Sequence, residues 1–252
     1  TLAGAHNNYG EIGRGLPPGT HTGYITVEAC VDPACNEHYD GSPARIDVVG
    51  TVMSRDDFDL SCGHIDGNIF VNCVDPDWMG ILGWEQAGSN VGEHYEYLEG
   101  GNGFLIDWNI VDTGEEGYNQ VVEVEFSDSE VNGNLRFRSR GVYRVDSVDL
   151  SEFAGGTLEF DLRVIVWADA DYLEVQSECF WPCASPITRV PRFNENEWQH
   201  FTINVDDLMV PGNGRPGLEL SQVELGFVIS PQWGEMQNVH FQLDNIRWLR
   251  AQ

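Results

Sequence analysis

Lysine is absent from this chain of 252 residues, and its 13 basic residues are all arginine. They are outnumbered by 41 aspartates and glutamates, which give a formal net charge of −28 at pH 7. A surface of this sign repels nucleic acids and anionic membranes, so neither is expected as a partner. It also opposes sulfated or uronic-acid polymers unless cations or a local arginine cluster intervene. A neutral polymer is therefore the easier ligand.

Long apolar runs are missing as well. No stretch approaches the roughly 20 apolar residues that a membrane-spanning helix needs, and no segment has the pattern of a long amphipathic helix. The chain begins at Thr1 without an initiator methionine or a signal peptide. We therefore expect a mature secreted chain, extracellular or periplasmic, or an excised piece of a longer one.

Two common hydrolase motifs are also absent, the GxSxG nucleophile elbow and the HExxH zinc helix. The segment GNGRPG at 212–217 formally matches GxGxxG. No helical pattern follows it and it contains a proline, so it predicts a loop rather than a dinucleotide site. The many carboxylates prevent a glycosidase pair from being located or excluded. A small catalytic β-sandwich, either a polysaccharide lyase or a glycoside hydrolase, therefore stays open as a function class.

The six cysteines are even in number and show no CxxC spacing, which favours disulfides over metal thiolates. Disulfides place the protein in an oxidising compartment. We predict three sequence-local pairs, Cys30–Cys35, Cys62–Cys73 and Cys179–Cys183. The last pair brackets a Phe-Trp-Pro tip and is expected to hold Trp181 outward.

Short segments of period-two alternation cover most of the chain after residue 102. In TLEFDLRVIVW, at 157–167, the pattern places Leu158, Phe160, Leu162, Val164 and Val166 inward. Such runs, separated by turn residues, predict an all-β antiparallel β-sandwich or jelly roll. Residues 1–22 read as a linker or loose arm, and 102–252 as the jelly-roll domain. Residues 23–101 form either a partial neighbouring module or extra strands of the same sandwich.

Five segments in the second half carry a family resemblance, GTLEFDLRVIVW, LEVQSECFWPC, NEWQHFTINVDDL, VELGFVIS and FQLDNIRW. Over residues 102–250 the chain resembles the galactose-binding-like jelly roll found beside the catalytic domains of ExoP-type glucan hydrolases and other marine polysaccharide-degrading enzymes. The resemblance implies a non-catalytic carbohydrate-binding module that is covalently linked to a secreted glycoside hydrolase, and we expect the module to be monomeric. The implied ligand is a polysaccharide or oligosaccharide, and the charge favours a neutral one such as a β-glucan or an algal galactan.

Candidate sugar-binding residues follow from the chemistry of sugars, whose C–H faces stack on aromatic rings and whose hydroxyls bond to charged and amide groups. On the non-core faces of two consecutive predicted strands, and in two loops, we expect the following residues to bind carbohydrate: Arg163, Trp167, Tyr172, Glu174, Gln176, Trp181 and Trp233. The alternative for the aromatic residues is that they cap the ends of the sandwich or pack beneath loops.

A structural calcium ion is the one cofactor expected. The resemblance implies that a late aspartate ties the terminal strands through Ca²⁺, and Asp244 in the LDNI segment is the candidate. Asp107, near the first strand of the predicted jelly roll, is the second candidate ligand.

Overall fold

A computed structural model describes residues 19–27, 42, 44–52, 64–78, 80–87, 90–95, 105–129, 132–139, 147–180 and 182–251. The chain divides into two compact units, Thr1–Asp59 and Leu60–Gln252. This division falls inside the segment 23–101, whose two alternatives the sequence left open. In the first unit, two strands pair as a two-stranded antiparallel sheet.

The strands are numbered in chain order. They are β1 (Gly19–Val27), β2 (Ala44–Val52), β3 (Asn68–Phe70), β4 (Gly80–Ala87), β5 (Asn90–Tyr95), β6 (Ile106–Glu115), β7 (Tyr118–Phe126), β8 (Asn132–Arg138), β9 (Thr157–Val166), β10 (Tyr172–Cys179), β11 (Thr188–Pro191), β12 (Trp198–Asn204), β13 (Val223–Pro231) and β14 (His240–Leu249).

The second unit is a sandwich of two antiparallel sheets, which confirms the predicted fold class. The front sheet has the strand order β11-β10-β13-β8-β4-β5, and the back sheet has the order β12-β9-β14-β7-β6, with β3 pairing to β14. The consecutive strands β9 and β10 therefore belong to different sheets. Strands β3, β4 and β5, from the segment 23–101, are part of these two sheets.

The core between the sheets is built by the alternation that the sequence shows. The predicted inward residues Leu158, Phe160, Leu162 and Val164 of β9 have no exposed surface. Phe160 of the back sheet meets Phe227 of the front sheet edge-on, with ring centroids 5.0 Å apart. Each such side chain contributes about 2 kcal/mol through burial, so the alternation of one strand already stabilises the sheet-to-sheet contact.

The alternation of β9 breaks near its end, and two predictions fail there. Between β9 and β14 the pairing advances two residues, Val164 to Val166, for one residue on the partner. This β-bulge inserts Ile165 and reverses the faces of the residues that follow. Val166, predicted inward, is 39% exposed, whereas Trp167, predicted on the outer face, has no exposed surface.

Helical structure is minor in the described residues. The one α-helix there, α1, spans the five residues Val205–Met209, in keeping with the missing amphipathic pattern. Within the described part of the chain, no helix has the length and apolarity to cross a membrane.

Candidate functional site

The outer surface of the front sheet carries an open groove with a volume of about 490 Å³. Four strands of the sheet and three loop residues contribute to it. The groove is lined by Trp84, Asn134, Arg136, Glu174, Gln176, Glu178, Ile187, Arg215, Val228, Ser230 and Trp233.

Strand register brings the floor of the groove together from distant parts of the sequence. Glu174 and Gln176 lie two residues apart on β10, and a strand presents every second residue on the same face. Glu174 pairs across to Ser230, and Gln176 pairs to Val228. Val228 in turn pairs to Arg136 of β8, so polar side chains from three adjacent strands form one continuous surface.

One end of the groove is aromatic. The rings of Trp84 and Trp233 lie 6.1 Å apart with an interplanar angle of 32°, and Trp233 is 50% exposed. The guanidinium carbon of Arg136 lies 5.2 Å from the Trp84 ring centroid. An exposed indole beside planar donors offers a sugar both a stacking surface and hydrogen bonds.

The polar side chains of the floor are oriented by one another. Gln176 Nε2 donates to Glu178 Oε1 at 2.6 Å, and Arg136 Nε donates to Asn134 Oδ1 at 2.5 Å. Such contacts hold the donors and acceptors in place before a ligand arrives, which reduces the entropy that binding must remove. The groove contains two arginines and two glutamates, so its charges balance although the chain is strongly acidic.

Three of the predicted binding residues, Glu174, Gln176 and Trp233, line this groove. Tyr172 lies two residues before Glu174 on the same face of β10. The guanidinium carbon of Arg189 lies 4.2 Å from the centroid of the Tyr172 ring. Arg189 also pairs with Glu174 at 3.4 Å. Tyr172 is therefore placed at the margin of the groove under an arginine. Trp181 lies outside the described residues.

Arg163 is on the opposite side of the sandwich. The prediction that it shares a face with Glu174 is wrong, because β9 belongs to the back sheet and β10 to the front sheet. On the back sheet, Arg163 donates to Gln242 Oε1 through Nε at 2.8 Å. It also forms an ion pair with Glu115 at 2.8 Å.

The side chains around Arg163 contact one another in a group that we call the back-face network. Arg163 pairs across to Gln242 on β14 and to Trp198 on β12. Its guanidinium carbon lies 4.7 Å from the Trp198 ring centroid. The ring of Tyr118 stacks on the same indole, with ring centroids 4.0 Å apart and an interplanar angle of 6°. These side chains therefore contact one another across the sheet, although Nε1 of Trp198 is buried without a hydrogen-bond partner among the described residues.

Trp167 is a core residue. Its indole Nε1 donates to the carbonyl of Phe193 at 3.0 Å, and its ring meets the Phe193 ring edge-on at 5.4 Å. A fully buried indole with its one donor satisfied has the features of a packing residue. In this conformation it offers no surface to a ligand.

The two candidate calcium ligands do not share a site. Asp107 pairs with Glu125, which pairs with His240 of β14. Asp244 lies four residues further along β14, which at about 3.3 Å per residue is about 13 Å away. One ion cannot bind both carboxylates.

Asp244 itself is buried beside a second carboxylate. It has no exposed surface and pairs directly with Asp161 of β9. Its Oδ1 accepts the N–H groups of Asn72 at 3.1 Å and Asn245 at 2.7 Å, whereas Oδ2 is buried without a partner. Burial raises the pKa of Asp244 to about 6, and the charge of Asp161 adds to the rise against these hydrogen bonds.

Calcium takes six to eight oxygen ligands. Around Asp244 the described side chains supply two carboxylates, and the oxygens of Asp161 already bond His200 at 2.7 Å and Asn245 at 2.7 Å. The described side chains alone do not complete a calcium site, and an ion at Asp244 stays a prediction.

A second group of potential metal ligands lies elsewhere in the sandwich unit. It consists of His64, Asp75 and Asp77, and one ligand atom of each residue lies within 4.8 Å of the others. Asp75 accepts the N–H groups of Ile65 and Asp77, each at 2.9 Å. These hydrogen bonds compensate for burying the Asp75 carboxylate, and they hold the surrounding loop in place without a metal ion.

The disulfide prediction is confirmed where the structure describes it. Cys179 and Cys183 are bonded, with a Cα–Cα distance of 5.0 Å. Cys73 is also disulfide-bonded, while its predicted partner Cys62 and the predicted pair Cys30–Cys35 lie outside the described residues.

Sequence reasoning missed several groove residues, above all Trp84, Arg136 and Arg215. The alternation in LRFRSR places Arg136 opposite the core residues Leu135 and Phe137, so its outward position was available. Nothing in the sequence indicates that β8 lies between β13 and β4. Arg215 comes from a loop, where no periodicity applies.

The sequence and the fold were compared with those of known proteins. No protein-family model matches the sequence, and no curated protein is similar to it in sequence. The exo-1,3/1,4-β-glucanase ExoP from a Pseudoalteromonas species is similar over 88% of this chain and 25% of that chain, at 11% identity and a TM-score of 0.50. The chain thus spans about a quarter of the length of that enzyme.

Two smaller structures are also similar. The extra C-terminal domain of ExoP matches over 72% of this chain and 90% of that domain, at 11% identity and a TM-score of 0.48. A family 30 carbohydrate-binding module from a cellulosomal cellulase of Clostridium thermocellum matches over 74% and 98%, at 18% identity and a TM-score of 0.46. At the level of the fold, the match to ExoP at a TM-score of 0.50 confirms the predicted resemblance to the β-sandwich of ExoP-type enzymes.

Proposed function

We propose that this chain is a non-catalytic carbohydrate-binding module that binds a neutral polysaccharide in the groove of the front sheet. The observation that carries the proposal is the open groove itself. It joins the exposed indole of Trp233 to a floor of oriented amides, carboxylates and guanidinium groups. Aromatic stacking with a few convergent polar groups is the chemistry that sugar recognition requires.

The charge distribution supports a neutral ligand. The chain carries a net charge of −28, which opposes the approach of a polyanion, while the groove balances two arginines with two glutamates. One structure of similar fold, which matches 88% of this chain, is an exo-1,3/1,4-β-glucanase. A soluble β-1,3/1,4-glucan is therefore the first ligand to test, followed by an algal galactan.

We propose that the module belongs to a secreted enzyme. The Cys179–Cys183 disulfide is a bond that persists in oxidising compartments. Similarity to about a quarter of a much longer glucanase supports a module covalently linked to a catalytic domain. We expect the module to be monomeric.

The alternative is a small catalytic sandwich. Glycosidases hold two carboxyl groups about 5–9.5 Å apart. The groove carboxylates Glu174 and Glu178 lie four residues apart on β10, about 13 Å along an extended strand, although a bulge intervenes. No observation on the described residues favours catalysis.

Affinity electrophoresis tests the proposal, with native gels containing soluble β-1,3/1,4-glucan, agarose or a sulfated galactan, and a reducing-sugar assay on the same polymers. We expect retardation by a neutral polymer without release of reducing ends. Retardation by none of them would contradict carbohydrate binding. New reducing ends would replace the proposal with the catalytic alternative.

A further inference from the structure

Two loops form the wall of the groove beside β11, on the side of the sheet away from β4 and Trp84. Ile187 comes from the segment that leaves the Cys179–Cys183 disulfide and leads into β11. Arg215 comes from the loop GNGRPG, at 212–217, between α1 and β13. Both side chains line the groove, so this wall depends on how the two loops are held.

The disulfide turns the chain back along the end of β10. Cys179 is fully buried, and its N–H donates to the carbonyl of Cys183 at 3.0 Å. Glu178, which lines the groove, is bridged to Ala184, and Ser177 N–H donates to Ser185 Oγ at 3.0 Å. The returning segment is thereby fastened beside the groove floor.

The Arg215 loop is fastened in turn to the disulfide segment. Gly217 N–H donates to the carbonyl of Ala184 at 3.1 Å, and Asn213 Nδ2 donates to the carbonyl of Ile187 at 3.4 Å. Directly after the loop, the N–H of Glu219 donates to Cys179 Sγ at 3.3 Å. The loop that carries Arg215 is thus bonded to the segment that follows Cys183, and the chain directly after the loop is bonded to Cys179.

The loop is also shaped internally for one conformation. The backbones of Gly212 and Arg215 bond each other reciprocally, at 3.0 and 2.8 Å. Gly217 has φ +98°, and a Cβ there would meet the carbonyl oxygen of Met209 at 2.1 Å. Only glycine tolerates both conditions, so the loop reaches its contact with Ala184 in a defined geometry.

We propose that Arg215 contacts the bound polysaccharide and that the Cys179–Cys183 disulfide positions it, so that ligand affinity depends on the oxidation state of this one bond. The inference rests on the proposed function, because it names how one wall of the same groove is built. A guanidinium donates to sugar oxygens through a rigid planar fork. A loop held before binding loses less freedom when the ligand arrives.

Titration calorimetry with a soluble β-1,3/1,4-glucan on four proteins tests this: the parent, Arg215→Ala, Cys179→Ser/Cys183→Ser, and the triple variant. We expect Arg215→Ala to weaken binding about tenfold, as for the loss of one charged hydrogen bond. The disulfide variant should bind severalfold more weakly than the parent. The triple variant should bind no more weakly than Arg215→Ala, because the disulfide acts through that side chain.

Arg247→Ala is the matched control, since it removes the same charge from a residue of the back sheet that pairs with Glu159. It should bind like the parent. If the two losses simply add in the triple variant, or Arg215→Ala binds like the parent, the inference is overturned while the proposed function stands. Thermal melts establish that each protein is folded, and Cys183→Ser alone replaces the double variant if that one is not.

Amide hydrogen exchange without ligand examines the positioning step by itself. We expect the N–H groups of Gly217 and Glu219 to exchange faster in the disulfide variant than in the parent, while those of β14 are unchanged. Equal exchange at Gly217 and Glu219 would overturn the positioning role whatever the ligand. Absence of binding by the parent to every polymer would instead refute the proposed function, and with it the role of Arg215 in binding.

Discussion

The two outer faces of the sandwich use the same pair of residues in different ways. On the front, Arg136 lies 5.2 Å from the ring of Trp84, and on the back, Arg163 lies 4.7 Å from the ring of Trp198. The back-face indole is also stacked by Tyr118 at 4.0 Å. The front indole instead adjoins Trp233, which is 50% exposed. Residue type alone therefore does not distinguish a binding face from a structural one.

Polar groups bond one another on both faces, and the difference lies in the open groove that the front face adds. On the back face, Arg163 donates to both Gln242 and Glu115, and Gln242 donates to Glu123, so these groups have partners without a ligand. On the front face, side chains from four strands and the flanking loops converge on an open groove of about 490 Å³. Side chains that contact one another across the back face contribute stability, whereas side chains that line the open groove of the front face can also bind a ligand.

The largest effect is expected in the core beneath both faces. Trp167→Ala should lower the free energy of unfolding by about 3–5 kcal/mol, because it leaves a cavity the size of an indole. The neighbouring Val166→Ala, at a side chain 39% exposed, should change it by less than about 1 kcal/mol. Denaturant titration measures both. A stable Trp167→Ala protein that had lost polysaccharide binding would restore the binding role predicted from the sequence.

A smaller effect is expected at Asp244 on the back sheet. Its pKa is raised from 3.8 to about 6, so the folded state binds the proton more tightly than the unfolded chain and stability falls as pH rises between these values. Asp244→Asn removes this cost. In EDTA it should stabilise the protein at about pH 8 by on the order of 2 kcal/mol more than at about pH 4. Thermal melts at the two pH values decide, and an effect independent of pH would contradict this.

Thermal melts of the parent and Asp244→Asn with added calcium test the predicted metal site. If an ion binds at Asp244, adding calcium at neutral pH should raise the melting temperature of the parent and leave that of Asp244→Asn unchanged. No shift in the parent, together with no calcium by elemental analysis, would remove the calcium prediction.

The smallest effect separates the two faces directly. Arg163→Ala should cost about 1 kcal/mol of stability through lost hydrogen bonds to Gln242 and Glu115, and polysaccharide affinity should be unchanged. Urea titration measures the first quantity and calorimetry the second. A variant of parent-like stability with reduced affinity would place ligand on the back face.

The fold was largely predictable because alternation is a local property. Val122, Val124 and Phe126 on β7, like the inward residues of β9, are buried as the period-two pattern indicates. The pattern failed at Ile165, since a bulge inserts one residue without any mark in the composition.

The site was only partly predictable because it depends on pairing between distant strands. Glu174 and Gln176 were found from their alternation on one strand, but Arg163 was assigned to the same surface because its strand is the preceding one. Only the sheet order places β9 and β10 in different sheets. Arg215 enters through a loop that is held to the disulfide segment by one backbone hydrogen bond and one from the Asn213 side chain, and the alternation of apolar residues does not predict such contacts.

The central claim is that the front face binds polysaccharide and the back face does not. Its most direct measurement compares the affinities of Trp233→Ala and Trp198→Ala for a soluble β-1,3/1,4-glucan by titration calorimetry, with melts to confirm folding. The account predicts that Trp233→Ala loses about 2 kcal/mol of binding free energy, as an aromatic anchor does, and that Trp198→Ala binds like the parent. Loss of binding in Trp198→Ala with full binding in Trp233→Ala would contradict it.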